Sequence, residues 1–366
     1  FINTRAEDGY DLWLRYIKVS NPALLTQYKK QINAPAVAGN SQTIAIIREE
    51  LSRALSGLTG NRYSVLSLPA ASSALIVSVG SPAGVVKPEE LARIGTDGYI
   101  IKSKPGKTLI TANSDIGALY GVFHLLRLMQ THQPIHNLDI RSAPRLKLRM
   151  LNHWDNLNRT VERGYAGFSI WNWHTLPGYI DKRYIDYARA NASIGINGTV
   201  LTNVNANATV LTTTYLQKVK ALADVFRPYG IKVFLTARFS APIETGGLKT
   251  ADPLNEEVQQ WWKEKAKEIY SLIPDFGGFL VKANSEGQPG PQDYKRSHAD
   301  GANMLAAAVA PYKGIIIWRA FVYAAENPVD RHKQAYDDFV PLDGKFLSNV
   351  MVQVKNGAID FMPREH

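Results

Sequence analysis

From Leu146 onward, short apolar runs alternate with helical patterns, and this alternation limits the fold more than any other feature of the chain. Strands read over 148–152, 198–202, 231–236, 278–283, 314–319 and 349–355, and helices over 215–229, 256–272 and 302–310. Strands alternating with helices at this spacing call for a parallel sheet with helical crossovers. The count and the strand-then-helix order favour a (β/α)8 TIM barrel over an open doubly wound sheet. No Gly-x-Gly-x-x-Gly opens a helix, so a dinucleotide-binding fold has little support. Six strands fall short of the closure that removes a barrel's edges. Either the strand count is short or the chain is a piece of a longer protein; the second is expected, with the barrel truncated after about strand six.

Residues 1–140 read as a small N-terminal α+β domain and 141–366 as the incomplete barrel. The 42–58 stretch is an amphipathic helix with Ile44, Ile47, Leu51 and Leu55 on one face. A strand follows at 74–79, and a hairpin over 98–104 and 107–112 turns at Pro105-Gly106. Asn113 or Ser114 then caps a long helix through Gly117, Leu119, Val122, Leu125 and Leu128. The 133–145 segment, with Pro134 and Pro144, reads as the linker.

At 366 residues, 45% hydrophobic and 20% charged, the composition is that of an ordinary globular protein. No apolar run approaches the ~20 residues of a membrane-spanning helix. Zero cysteines exclude disulfides, thiolate nucleophiles and cysteine zinc sites. The net charge is +10, but basic residues are scattered in runs no longer than Lys29-Lys30, Lys182-Arg183 or Lys295-Arg296. That pattern speaks against nucleic acid as a partner and suits attraction of a small acidic ligand. The start at Phe1 reads as a mature or trimmed product, giving a periplasmic or secreted expectation with the cytoplasm as the alternative.

Chemistry in such barrels gathers at the carboxyl ends of the strands. Here those ends read Asn152-His153-Trp154-Asp155, Thr202-Asn203-Val204-Asn205, Lys282 with Glu286, Trp318-Arg319, and Lys355 with Asp360 just beyond. Brought together, they would give a pocket with two tryptophans, Asn203, two lysines, an arginine and two carboxyls. Flat aromatics with polar groups suit sugar rings, and Arg can grip a carboxylate with two parallel hydrogen bonds. A carboxyl pair is what glycosidic cleavage requires. Each residue has a plainer reading. Trp154 and His153 would serve as core packing, Lys282 and Arg319 as structural ion pairs, and Asp360 as a turn or cap residue.

Four stretches carry a specific resemblance. They are Glu7 to Tyr16 (EDGYDLWLRY), Arg149 to Asn156 (RMLNHWDN) continuing to Glu162–Gly167, Lys282 to Pro291 (KANSEGQPGP), and Gln353 to Phe361 (QVKNGAIDF). The chain resembles the α-glucuronidases of glycoside hydrolase family 67 along its whole length. The resemblance implies a small α+β domain, a catalytic (β/α)8 barrel and a C-terminal helical domain that helps form a homodimer. It implies release of glucuronic acid, usually 4-O-methylated, from the non-reducing end of xylo-oligosaccharides with inversion, using neither metal nor organic cofactor. On this likeness Glu286 is the general acid and Asp360 one of two carboxylates that activate water, the second lying beyond His366. Lys282, Arg319 and Lys355 bind the uronate and ring hydroxyls. Trp154 and Val204 form the apolar wall near the 4-O-methyl group, and Asn203 is a polar contact.

In this mechanism Glu286 must stay protonated near neutral pH, which calls for burial or a neighbouring negative charge. Lys282 is expected to point at substrate rather than at Glu286. Acid and base carboxyls are expected about 6.5–9.5 Å apart, leaving room for water. Two rivals stand beside this reading. One is a hexosaminidase-like hydrolase, although such enzymes place an Asp-Glu pair where this chain has Ser285-Glu286. The other is a non-catalytic, truncated sugar-binding fragment.

Overall fold

A computed structural model of the protein describes residues 8–80, 85–162, 167–285, 287–320 and 331–354. The chain divides into two compact units. The first runs to Arg149 and takes in Asp186–Asn197 and Pro228–Gly230; the second holds Met150–Ile185, Gly198–Arg227 and the described residues from Ile231 onward.

The first unit is built on a five-stranded sheet. Its strands are β1 (Ala36–Val37), β2 (Leu75–Val79), β3 (Tyr99–Lys104), β4 (Lys107–Ala112) and β5 (Asp139–Ser142), in the order β1-β2-β4-β3-β5. The helices Gln42–Thr59 and Asp115–Gln130 pack on each other, and the second also packs on β2, β3 and β4. Ser41 and Ser114 cap them, their hydroxyls accepting the amides of Ile44 at 3.1 Å and Gly117 at 3.0 Å. Gly117 and Gly121 lie one helical turn apart and face β3 and β4. A Cβ on either would meet Gly98 O at 2.5 Å or Ile110 Cγ2 at 2.6 Å, so glycine is what lets helix and sheet approach.

Two features of this unit depart from the sequence reading. Pro22–Gln31 is a helix, entered by Asn21, whose side chain accepts the Leu24 amide at 3.0 Å. The stretch expected as linker contains β5, which pairs antiparallel with β3. Within the unit, Glu50 and Arg189 form a buried two-pronged ion pair at 2.7 and 2.8 Å, and the Tyr16 hydroxyl also donates to Glu50. Such a pairing keeps both charges satisfied where water cannot reach them.

The second unit carries six strands, all parallel: β6 (Met150–Asn152), β7 (Gly198–Val200), β8 (Lys232–Thr236), β9 (Gly278–Val281), β10 (Ile315–Arg319) and β11 (Val350–Gln353). Their order in the sheet is their order in the chain. In chain order the helices Lys182–Ser193, Thr213–Phe226, Glu256–Leu272, His298–Val309 and Arg331–Phe339 fall between successive strands, the first of them belonging mostly, from Asp186 onward, to the first unit. Every strand therefore steps to its neighbour through a helix, the arrangement of a partial (β/α)8 barrel. β7 and β9 are buried throughout, whereas the edge strands β6 and β11 are partly exposed. Gly278 opens β9 at φ +132°, and a Cβ there would sit 1.9 Å from Ile315 O, so only glycine allows β9 and β10 to pair from this residue.

The Lys182–Ser193 and Arg331–Phe339 helices were absent from the sequence reading. The first buries Tyr184, Ala188 and Ala192 at four-residue spacing. Its core stripe is mostly alanine, too weakly apolar to stand out as a period. The helix expected over 302–310 starts four residues earlier, at His298, because Ser297 and Asp300 cap each other's backbone at 3.1 and 2.8 Å.

Candidate active site

Because the six strands are parallel, their carboxyl ends share one rim of the sheet. β6 runs into a hairpin: Glu162 N–H returns to Trp154 O at 2.9 Å and Asn156 N–H to Thr160 O at 2.8 Å. Trp154 is half-buried at the start of this hairpin. His153 Nδ1 lies 3.3 Å from Asp155 Oδ1, and its ring tilts against buried Trp171 at 5.2 Å.

Beyond β7, Asn203 is fixed from both sides. Its amide N–H donates to Asp155 O at 2.8 Å, and its side-chain nitrogen donates to Glu162 Oε2 at 2.6 Å and Asn156 Oδ1 at 3.2 Å. Its side-chain oxygen accepts the Asn205 amide at 2.9 Å. Val204, 6% exposed, follows Asn203, so the Asn203–Asp155 tie brings the residue beside Val204 to the residue beside Trp154.

Past β9, Lys282 is only 3% exposed and its Nζ donates to Asn205 Oδ1 at 3.0 Å. A continuous chain of hydrogen bonds thus links Trp154, Glu162, Asn203, Asn205 and Lys282 across three strand ends. Arg319 closes β10 at 5% exposure. Trp318 stands opposite Val281 in the parallel register, which sets Lys282 and Arg319 side by side on neighbouring strands. Two cations are therefore buried at adjacent positions on one rim, an arrangement that favours an anionic ligand there.

The turn after β9 is closely braced. Gln288 N–H donates to Ser285 O at 2.9 Å, and these residues form an antiparallel bridge with Gly287 at φ +75°. Asn284, at φ +50°, accepts the Gln292 amide at 3.0 Å and donates to Asp293 Oδ1 at 3.3 Å. Glu286, Lys355 and Asp360 lie outside the described residues. Among the described residues, no group of three His, Asp or Glu side chains is placed to hold a metal, and no helix is long and apolar enough to cross a membrane.

One expectation needs correcting. Trp318 does not line a pocket with Trp154. It is fully buried, edge-on to Phe239 at 6.2 Å, and its Nε1 donates to His298 Nδ1 at 3.3 Å on the Ser297-capped helix. Alternation along β10 places Trp318 on the helix-facing side, opposite Arg319. Conversely, sequence reasoning gave no role to Glu162 or Asn205. The Asn203-Val204-Asn205 spacing carried a signal, since alternate residues leaving a strand share a side.

His298 leads to a measurable consequence. It is 1% exposed, its Nε2 has no hydrogen-bond partner among the described residues, and burial pushes its pKa down to about 4. The folded state therefore binds fewer protons than the unfolded chain between pH ~6.5 and ~4. Stability is fully present above pH ~6.5 and falls as the pH drops toward 4, by up to about 3 kcal/mol for this group. Urea unfolding at pH 7 and 4.5 should show a smaller acid-induced loss for His298→Asn than for wild type. An unchanged acid loss would contradict the burial of a neutral imidazole.

Both the sequence and the fold have counterparts among known proteins. Residues 12–125 match the glycosyl hydrolase family 67 N-terminus and residues 128–366 its middle domain. Alpha-glucuronidase A of Emericella nidulans is 38% identical over 98% of this chain, and alpha-glucuronidase of Hypocrea jecorina is 39% identical over 98%. The chain spans 44% of the length of each of these relatives. Among solved structures, a GH20 beta-N-acetylhexosaminidase from Streptomyces coelicolor aligns over 90% of this chain and 66% of its own, with a TM-score of 0.55 at 13% identity. A GH138 enzyme targeting pectin rhamnogalacturonan II aligns over 88% of this chain and 38% of its own, at a TM-score of 0.54 and 16% identity. Those two likenesses concern the fold alone. With family matches across both units and curated relatives along nearly its whole length, the chain belongs to glycosyl hydrolase family 67.

Proposed function

We propose that the full-length protein carrying this chain is an inverting α-glucuronidase. Its substrate is an aldouronic oligosaccharide from xylan, and its product is glucuronic acid, with or without a 4-O-methyl group, cleaved from the non-reducing-end xylose. The observation that carries this reading is the pair of buried cations, Lys282 and Arg319, side by side on the strand-end rim. Two positive charges at adjacent strand ends complement a uronate carboxylate, which a neutral sugar lacks.

In this reading the carboxylate of the sugar acid meets Arg319, Lys282 and Lys355. Trp154 and Val204 border its 4-O-methyl face, and Asn203 serves a ring hydroxyl. Asn205 holds the Lys282 ammonium in place, and Glu162 orients the Asn203 amide. Glu286 gives its proton to the glycosidic oxygen as the bond to xylose breaks. Asp360, with a second carboxylate elsewhere in the protein, removes a proton from the water that attacks the opposite face. One displacement then yields inverted configuration. The chemistry needs proton transfers and charge stabilisation only, so no cofactor enters it. We further propose a homodimer for the full-length protein, on the resemblance alone. The test is product analysis: the full-length protein should release glucuronic acid from an aldouronic oligosaccharide and leave the unbranched xylo-oligosaccharide. Release of N-acetylglucosamine from chitobiose instead, or binding without any turnover, would overturn the assignment.

A further inference from the structure

We infer that Arg238 is a positioning residue for the turn at 285–288, from which the function proposed above draws its proton donor; the inference rests on that reading for its catalytic consequence. Arg238 lies two residues beyond β8, and its guanidinium is held from two directions. Nε donates to Glu244 Oε1 at 2.5 Å, while Nη1 donates to Gln288 Oε1 at 2.9 Å. Glu244 also accepts from the Ser240 hydroxyl. The single helical turn Ala241–Glu244, whose last amide donates to Ser240 O at 3.1 Å, sets that carboxylate relative to Arg238. The anchor on the β8 side is thus built before Gln288 is reached.

Gln288 is in turn fixed to the stretch that follows β9, its backbone N–H donating to Ser285 O, and Ser285 is 2% exposed. Asp293 holds the other flank of the same loop, taking the Asn284 side chain at 3.3 Å and the Gly290 amide at 3.0 Å. Arg238 is therefore the arm that ties this turn to the neighbouring strand. A planar guanidinium with donors in a fixed fork bridges Glu244 and Gln288 in one set geometry, which a flexible ammonium holds less firmly. The Arg238 side chain is three-quarters buried, so its hydrogen bonds are partly shielded from competing water. A proton donor displaced by about 1 Å loses about 100-fold in rate.

The test uses the full-length protein with Arg238→Met, Gln288→Leu and the double variant. Each single change should lower kcat on an aldouronic oligosaccharide by about 10- to 100-fold, with KM held within about twofold. An aryl α-glucuronide with an acidic phenol needs little protonation and should lose less than about threefold. The double variant should match the singles, because both remove one link. Arg238→Lys should restore only part of the loss. If Arg238→Met fails to fold, Gln288→Leu alone carries the comparison. Equal losses on both substrates, or additive losses in the double variant, would mean general destabilisation and overturn the inference. Amide exchange at Gln288 is read in parallel and needs no activity. It should quicken by about tenfold in Arg238→Met, and unchanged exchange would overturn the brace itself. Should wild type release no glucuronic acid, the function proposed above falls, and the exchange result still decides whether Arg238 holds the turn.

Discussion

Glu286→Gln should cut turnover of aldouronic oligosaccharides by about 100- to 10,000-fold, the usual contribution of a positioned general acid. Xylose leaves as an alkoxide unless it is protonated in the transition state, so this substrate depends fully on the donor. Glutamine keeps the shape and the hydrogen-bonding capacity of the side chain but has no acidic proton. KM should therefore change little. Aryl glucuronides with acidic phenols should retain most of their rate, and the alkaline limb of the pH profile should disappear. Steady-state kinetics on the two substrate types separate these outcomes. Full activity of Glu286→Gln on the oligosaccharide would remove Glu286 from the mechanism.

Lys282→Met should have the second largest effect. The ammonium is buried at 3% exposure and oriented by Asn205, so its interaction with a uronate is poorly screened. A charge-assisted hydrogen bond in such a setting contributes about 1.5–3 kcal/mol. The expected loss in kcat/KM is then about 10- to 150-fold on the uronate substrate. The same substrate with its carboxyl reduced to the alcohol should already react slowly in wild type and should lose far less from the substitution. Methionine has nearly the reach of lysine without its charge, so packing is largely kept. Equal losses on both substrates would show that Lys282 serves the fold rather than the carboxylate. Asn205→Leu should reproduce part of the effect by freeing the ammonium from its seat.

How much of this was readable in the residues depends on the kind of signal each element carries. β7 to β10 are short apolar runs ending in polar residues, because central strands of a parallel sheet are covered on both faces. Their order and class followed from the alternation itself. The Lys182–Ser193 helix escaped because alanine fills its core stripe, and Pro22–Gln31 because its best mark was the two-residue Asn21-Pro22 entry. β5 was hidden in a segment whose two prolines read as a linker. At the rim, Lys282 and Arg319 stood out as charges following apolar runs, and register placed them together. Trp318 was misassigned because a run such as Ile315–Arg319 does not say which of its alternating faces points to the helices; the contact with His298 decides it. The joining hydrogen bonds, Asn203 to Glu162 and Asn205 to Lys282, span 41 and 77 residues of sequence. No local pattern encodes partners that far apart.

The most direct test follows the first seconds of the reaction by proton NMR, with the full-length protein and an aldouronic oligosaccharide. The β-anomer of free glucuronic acid should rise first, and the α-anomer only later by mutarotation. An α-anomer appearing first, or no uronic acid at all, would contradict a single displacement at the Lys282–Arg319 rim.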